Sequence, residues 1–269
     1  MVSFPPCKIN LGLNILSKRP DGYHNLETCF YPIPWTDILE VIPADQFSFT
    51  QTGQPVPGKA EDNLCIRAYE LLRDAHRLPP VKMHLHKIIP MGAGLGGGSS
   101  DAAHTLRLLN AVFHLQQSPA QLAGYAAKLG SDCAFFTQDQ PMIGEGRGEI
   151  LSTTPVSLQK KFIVLVKPDI HVSTAEAYAG ITPRQPEQSL QTLLTRYAVE
   201  AWRHWIKNDF EETVFKKHPV LQSVKDKLYA SGALYASMSG SGAALFGIFD
   251  KPINLETSFP EMTVWSGGV

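Results

Sequence analysis

The sequence predicts an α+β fold in two domains, and three observations carry that prediction. The first is a stretch of strict alternation near the start, "CKINLGLNIL", where Ile9, Leu11, Leu13 and Ile15 alternate with Lys8, Asn10, Gly12 and Asn14. That period of two is the mark of a half-buried strand with one polar face. The second is a strand-like segment, "VKMHLHKIIP", followed at once by a glycine-rich loop and then by apolar residues at helical spacing. The third is the second half of the chain, where helical and strand patterns mix without the repeated βαβ units of a doubly wound sheet. At 269 residues the chain is long for one compact domain and comfortable for two.

Taken in order, the first strand runs into "RPDGYH", where Pro20, Asp21 and Gly22 suit a tight reversal, and "TCFYPIPW" and "DILEVI" continue as strands. The segment "EDNLCIRAYELLRDAHRL" places Leu64, Ala68, Leu71, Leu72 and Ala75 on one helical face, with Asp62 or Asn63 as the cap. Val81, Met83 and Leu85 then alternate with polar residues until Pro90. Beyond the glycine loop, Ala102, Ala103, Leu106, Leu109, Val112 and Phe113 recur at i, i+3, i+4 and i+7. A further helix is expected from Pro119 to about Leu129, ended by Gly130, before "SDCAFF" and the glycine-rich "GEGRGEIL". The domain boundary is placed near Pro155, dividing residues 1–154 from 155–269. The second part holds a buried strand in "KKFIVLVKPD", helices in "LQTLLTRYAVEAW" and "PVLQSVKDKLYASG", and the strand pair "LYASMSGSGAALFGIF" after Gly232.

The formal net charge of -1 gives no bulk electrostatic reason to expect nucleic acid or an anionic membrane as partner. No apolar run approaches the length of a membrane span, and "MVSFPPCKIN" lacks the charged start and apolar core of a signal peptide, so the expected location is cytoplasmic. Cys7, Cys29, Cys65 and Cys133 are too far apart in sequence for a structural zinc or redox motif. His84 and His86 share one side of a strand, and with no third ligand nearby they read as a polar face. The sequence carries no signal for an oligomeric state.

Five glycines and two serines fill "IPMGAGLGGGSSDAA". A loop that leaves a strand and opens a helix gathers unpaired amides at the positive end of the helix dipole, which suits an anion such as phosphate. The P-loop pattern fails for want of a lysine before the Ser-Ser pair. "GAGLGG" matches the dinucleotide pattern in form but lacks the βαβ array around it. Ser99 or Ser100 is also a candidate helix cap. Lys8 and Asn10 share the polar face of the first strand, and alternation alone does not choose between a solvated lysine and a functional one. For Asp132 in "GSDCAFF", a helix N-cap is the simplest local role.

These motifs together carry a family resemblance. "PMGAGLGGGSS" resembles the second motif of the GHMP kinases, small-molecule kinases, and "MSGSGAALFGIF" resembles their third. "KINLGLNILSKRPDGYHNLET" is similar to the first motif of the branch that acts on a cytidine diphosphate conjugate of methylerythritol. The resemblance spans Lys8 to Phe249 and implies a two-domain GHMP kinase fold, an ATP-binding N-terminal domain and a ferredoxin-like C-terminal one, with the active site in the cleft between domains. It implies ATP and Mg²⁺ as cofactors and phosphorylation of a tertiary alcohol on the small-molecule conjugate. By the same resemblance Lys8 and Asp132 are the catalytic cation and base, although Ala134 stands where the family has proline. The nucleotide would be held by Pro90, Met91, Gly92, Ala93, Gly94, Leu95, Gly96, Gly97, Gly98, Ser99, Ser100 and Asp101, with adenine read by Asn63 and Lys87. Asp101 adds negative charge near the phosphates, to be offset by Mg²⁺ or by the side chain turning away. The acceptor would be held by Asn10, Tyr23, His24, Thr174, Tyr178, Gly240 and Ser241, with His24 hydrogen-bonding the cytosine between aromatic rings. A GHMP kinase of another alcohol has no cytosine to read and so no use for "DGYH". A non-catalytic nucleotide-binding protein would not need Lys8 and Asp132 together. For a nucleic-acid-binding role the sequence lacks the basic charge and the aromatic ribonucleoprotein motif.

Overall fold

The structure is a computed structural model that describes every residue from Met1 to Val269. Along the chain run β1 (Val2–Ser3), β2 (Pro6–Lys18), β3 (His24–Thr36), β4 (Ile38–Pro43), β5 (Ser48–Gly53), α1 (Leu64–His76), β6 (Val81–Lys87), α2 (Gly97–Val112) and α3 (Pro119–Ala126). There follow β7 (Met142–Gly146), β8 (Ile150–Thr153), β9 (Phe162–Lys167), α4 (Thr174–Tyr178), α5 (Leu190–Arg196) and α6 (Trp202–Trp205). The chain ends with α7 (Phe210–Lys217), α8 (Pro219–Ala230), β10 (Tyr235–Met238), β11 (Leu245–Phe249) and β12 (Thr263–Gly268). It divides into two compact units. Met1–Cys7, Trp35–Met91 and Gly96–Gln140 form the first, and Lys8–Pro34, Gly92–Leu95 and Pro141–Val269 form the second. The passage between units nearest the expected boundary at Pro155 lies at Gln140–Pro141, and Lys8–Pro34 belongs with the later part of the chain.

In the first unit a four-stranded sheet is ordered β1-β4-β6-β5, with β5 parallel to β6 and the other pairs antiparallel. The register sets Leu39 opposite Leu85 and Val41 opposite Met83, and these residues face α1 and α2 in a core with Leu72, Leu106 and Leu109. Alternation puts His84 and His86 on the other side, where both rings meet the Thr52 hydroxyl at 2.9 Å. The helix ends follow local chemistry. Asn63 caps α1 by accepting from the Cys65 amide, and Ser118 with Gln121 forms a capping box ahead of Pro119 at the start of α3.

The second unit holds two sheets, ordered β2-β3-β7-β8 and β10-β11-β9-β12. The pairs β3–β7, β7–β8, β10–β11, β9–β11 and β9–β12 are antiparallel. Ile163 to Val166 of β9 are buried in succession, as befits a strand with neighbours on both edges and cover on its faces. Val214 of α7 and Leu221, Val224 and Leu228 of α8 pack into the core with Val164, Val166 and Leu245. One expectation changes here. β2 is buried along Cys7–Leu13 on both faces, Lys8 and Asn10 included, so its polar side faces protein groups rather than solvent. The four cysteines are buried thiols outside any disulfide, and burial pushes the thiol of Cys29 up to about 12 and that of Cys133 up to about 11. No helix is long and apolar enough to cross a membrane.

Candidate active site

In the first unit, β6 delivers the chain to Pro90 and Met91, and α2 begins at Gly97. Both serines therefore lie inside the first helical turn. The N-cap is Gly96, with φ of 70° and no side-chain cap, so neither Ser99 nor Ser100 caps the helix. The first hydrogen bond of the helix runs from the Ser100 amide to the Gly96 carbonyl at 2.9 Å. That leaves the amides of Gly97, Gly98 and Ser99 with no acceptor inside the helix, at its positive end. The two glycines at the helix start have different reasons. A Cβ on Gly97 would lie 2.8 Å from Lys87 Nζ, whereas one on Gly98 would meet nothing closer than Met91 Cε at 3.5 Å. Gly97 accommodates a buried lysine beneath it, and Gly98 leaves the amides approachable from outside. The Ser100 hydroxyl is buried without a protein partner.

That lysine alters the expected nucleotide contacts. The Lys87 side chain is fully buried and bonds to Asp37 and, at 2.8 Å, to Asp101 Oδ2. Its ammonium is thus sealed against two carboxylates and does not present itself to an adenine. Burial opposes the lysine's charge, but Asp101 and Asp37 outweigh it and raise its pKa. Burial also pushes the Asp101 carboxyl up, to about 7, with Lys87 pulling it down and Asp37 adding to the rise. One cation serves two carboxylates, so Lys87 stays charged while Asp101 readily holds a proton. Asp101 is turned inward, away from the open side of the loop, which removes the repulsion its position suggested. Asn63 lines a cavity of about 280 Å³ together with Phe49, Gln51, Val56 and Lys59. Asp132, partly exposed, sits in the turn after α3. The short 3₁₀ turn that follows has Ala134 as its N-cap, so Asp132 is not the helix cap its local sequence suggested.

In the second unit the remaining loop residues, Gly92–Leu95, meet the N-terminal strand and the Gly-Ser turn between β10 and β11. Lys8 Nζ, with the residue only 3% exposed, donates to Asn10 Oδ1 at 2.6 Å and to the Gly94 carbonyl at 2.7 Å, and it lies over the Phe30 ring. The Lys8 amide donates to the Leu95 carbonyl at 2.9 Å. Ser239 Oγ donates to the same Gly94 carbonyl at 2.8 Å, and the Ala244 amide to the Ala93 carbonyl at 3.1 Å. A Cβ on Gly94 would run into the Ser239 carbonyl, and Gly240, with φ of 54°, packs against Gly94 and Asn10. Ser241 follows, partly exposed. Asn10 donates to Thr28 Oγ1 at 2.9 Å, and Thr28 donates to the Gly12 carbonyl. Asn208 steadies the turn by donating to the Met238 and Gly240 carbonyls, each at 2.8 Å. Thr28 closes the first motif without a role assigned to it there, and Asn208 belongs to no motif, so only the fold places them here.

The turn before β3 is built as its sequence suggests. Gly22 takes φ of 87°, the Tyr23 amide donates to Asp21 Oδ1, and the Arg19 amide donates to the Tyr23 carbonyl at 2.8 Å. Tyr23 is 57% exposed, with the Arg147 guanidinium over its ring. His24 stacks on Tyr178 with ring centroids 4.8 Å apart, and Phe210 meets Tyr178 edge-on at 4.8 Å. Burial, and then Lys18, lower the His24 pKa, which keeps the imidazole neutral at neutral pH. A neutral ring with one donor and one acceptor suits the edge of an uncharged heterocycle. Thr174 opens α4, the short helix that carries Tyr178, behind the cap made by Ser173.

Comparison with known proteins finds relatives over the whole chain. The family models described as GHMP kinases N terminal domain and GHMP kinases C terminal match residues 63–144 and 189–257, on either side of Pro155. A protein of Parabacteroides distasonis named 4-diphosphocytidyl-2-C-methyl-D-erythritol kinase is 48% identical over 269 residues, covering 99% of both chains. One of the same name from Cytophaga hutchinsonii is 50% identical over 254 residues, covering 94% of both. A crystal structure of 4-(cytidine 5'-diphospho)-2C-methyl-D-erythritol kinase superposes over all of both chains, with a TM-score of 0.82 at 30% identity.

Proposed function

The chain belongs to the GHMP kinase family, and we propose that it uses ATP to phosphorylate the 2-hydroxyl of 4-diphosphocytidyl-2-C-methyl-D-erythritol, the substrate in its relatives' name. The observation that carries the catalytic part is the meeting of three separated motifs on one carbonyl. Lys8 from the first motif and Ser239 from the third both donate to Gly94 of the second. A buried ammonium held at fixed distance from a glycine loop is a ready stabiliser of charge on a transferring phosphoryl group.

Phosphoryl transfer needs positioning and charge stabilisation more than covalent chemistry. In this reading the amides of Gly97, Gly98 and Ser99 receive phosphate oxygens in place of a P-loop lysine, and Asn63 contacts adenine. Asp132 accepts the proton of the acceptor hydroxyl, and Lys8, oriented by Asn10, offsets negative charge as the hydroxyl attacks. Tyr23, His24 and Tyr178 hold the cytosine, with Thr174, Gly240 and Ser241 as polar contacts to the acceptor. Mg²⁺ fits this donor set as an ion that arrives on the phosphates. No three His, Cys, Asp or Glu side chains converge to hold one, and magnesium bound with a nucleotide needs few protein ligands. The unpartnered Ser100 hydroxyl would be one of them, and the ion would supply neutralisation of phosphate charge there.

The test is a panel assay with ATP and Mg²⁺ against the cytidine diphosphate conjugate, mevalonate, homoserine and galactose. The conjugate alone should be turned over efficiently. Turnover of mevalonate or homoserine at a matching rate would return the chain to a different branch of the family, and no turnover of any alcohol would remove the kinase assignment.

A further inference from the structure

Asp37 joins β3 to β4, is fully buried, and belongs to none of the motifs. Its Oδ1 accepts the amides of Ile88 at 2.5 Å and Ile89 at 2.8 Å, the two residues that lead from β6 into the glycine loop. Its Oδ2 pairs with Lys87, which reaches on to Asp101 in the helix that the loop opens. Lys87 Nζ occupies the space that a Cβ on Gly97 would need. The entry of the loop and its exit are therefore tied to a single ion cluster within the first unit.

This is a poor way to gain stability. Two carboxylates share one cation, and Asp101 Oδ1 is buried without any partner. Ion clusters of this kind cost desolvation that an apolar filling would avoid. They do fix distances and directions, because charge-assisted hydrogen bonds are short and directional. Phosphate-binding amides need that property, since a small misplacement of a positioning group is felt strongly in the transition state.

We propose that Asp37 is a positioning residue for ATP: through the Ile88 and Ile89 amides and through Lys87 it sets the spacing between loop entry and helix start, and so the aim of the Gly97, Gly98 and Ser99 amides. The proposal rests on the kinase reading above. It explains why Lys87 and Asp101, adjacent to the loop in sequence, face inward. They act on the nucleotide through the backbone.

The experiment is calorimetric titration of a non-hydrolysable ATP analogue and, separately, of the acceptor conjugate, into wild type, Asp37→Asn and Asp101→Leu. Asp37→Asn keeps the shape but removes the charge facing Lys87. Asp101→Leu keeps the Lys87–Asp37 pair, so it serves if the first variant fails to fold, and it cuts the tie to α2. Each should weaken the analogue by roughly tenfold to a hundredfold and leave acceptor affinity within about twofold. A purely structural role would weaken both ligands alike or neither. Folded variants with unchanged analogue affinity, or with equal losses for both ligands, overturn the positioning role. A wild type that binds no ATP analogue overturns the kinase reading as well, which separates the two failures.

Discussion

Replacing Lys8 with methionine separates catalysis from folding. The ammonium is buried and makes charged hydrogen bonds to Asn10 Oδ1 and the Gly94 carbonyl at 2.6 and 2.7 Å. The Gly94 carbonyl keeps a second donor in Ser239, so Lys8→Met does not leave it bare. Methionine also fills most of the same volume without the cost of desolvating a charge. Removing a buried ammonium from its hydrogen-bonded partners costs about 1–3 kcal/mol, which burial of the methionine side chain partly offsets, so Tm should fall by roughly 2–8 °C and the variant should stay folded at the assay temperature. Loss of a preorganised group facing developing charge costs about 2.7–4 kcal/mol, roughly 10²–10³-fold in rate. The prediction is therefore a fall of that size in kcat/KM in a variant that stays folded at the assay temperature. Steady-state kinetics with the conjugate and ATP, beside thermal unfolding of the same samples, make the assay. A kcat/KM within about threefold of wild type would refute the role of Lys8, and a loss explained by unfolded protein would refute the separation argued from Ser239.

Three more outcomes are expected. Asp132→Asn should lower kcat by roughly 10²–10⁴-fold, the usual loss of a general base, with ATP-analogue affinity unchanged by calorimetry; wild-type turnover would return Asp132 to a structural turn. Gly98→Ala should raise stability by up to about 1 kcal/mol, since alanine is the better helix former, yet weaken ATP because its methyl group covers the amides on the open side of the loop; unchanged ATP affinity would count against the cradle. Asp101, whose carboxyl faces Lys87, Asp37 and the Cys65 thiol, gives a pH dependence. Its folded pKa, pushed up by burial to about 7, lies above the unfolded value of about 3.9, so between them the folded state binds more protons and stability falls as pH rises toward about 7. Urea midpoints from pH 5 to 8 should show that slope in wild type and lose it in Asp101→Asn; an identical slope in both would show that Asp101 is not its source.

Much of this was legible because local patterns and tertiary structure agree. α1, β6 and α2 appear where periodicity placed them, and the turn at Asp21 and Gly22 has the chemistry its residues suggested. One clue lay unused. Lys87 is in phase with Val81, Met83 and Leu85, so alternation assigns it to the buried face, where a lysine requires an acidic partner. Asp37 lies between two strands with no periodicity to mark it, and a partner 50 residues away along the chain has no local signal. The polar face of β2 misled for a related reason, because a sequence does not distinguish polar groups facing water from polar groups facing Gly94 and Thr28. β5, "SFTQTG", carries too little apolar alternation to announce a strand and depends on pairing in parallel with β6. β12 closes its sheet against β9, a partner that only the folded chain supplies.

The proposed reaction makes the cytidine end of the acceptor matter as much as the hydroxyl that reacts. It is tested most directly by comparing kcat/KM for the cytidine diphosphate conjugate and for methylerythritol phosphate, which has the same hydroxyl and no base, in wild type and in His24→Ala. His24 stacks on Tyr178 and offers a neutral imidazole beside an exposed Tyr23. Loss of such stacking and hydrogen bonding should cost about 1–3 kcal/mol. Wild type should strongly prefer the conjugate, and His24→Ala should lower kcat/KM for it by roughly tenfold to a hundredfold while leaving the base-free alcohol nearly unaffected. Equal use of the two acceptors by wild type, with His24→Ala indistinguishable from it, would contradict the account.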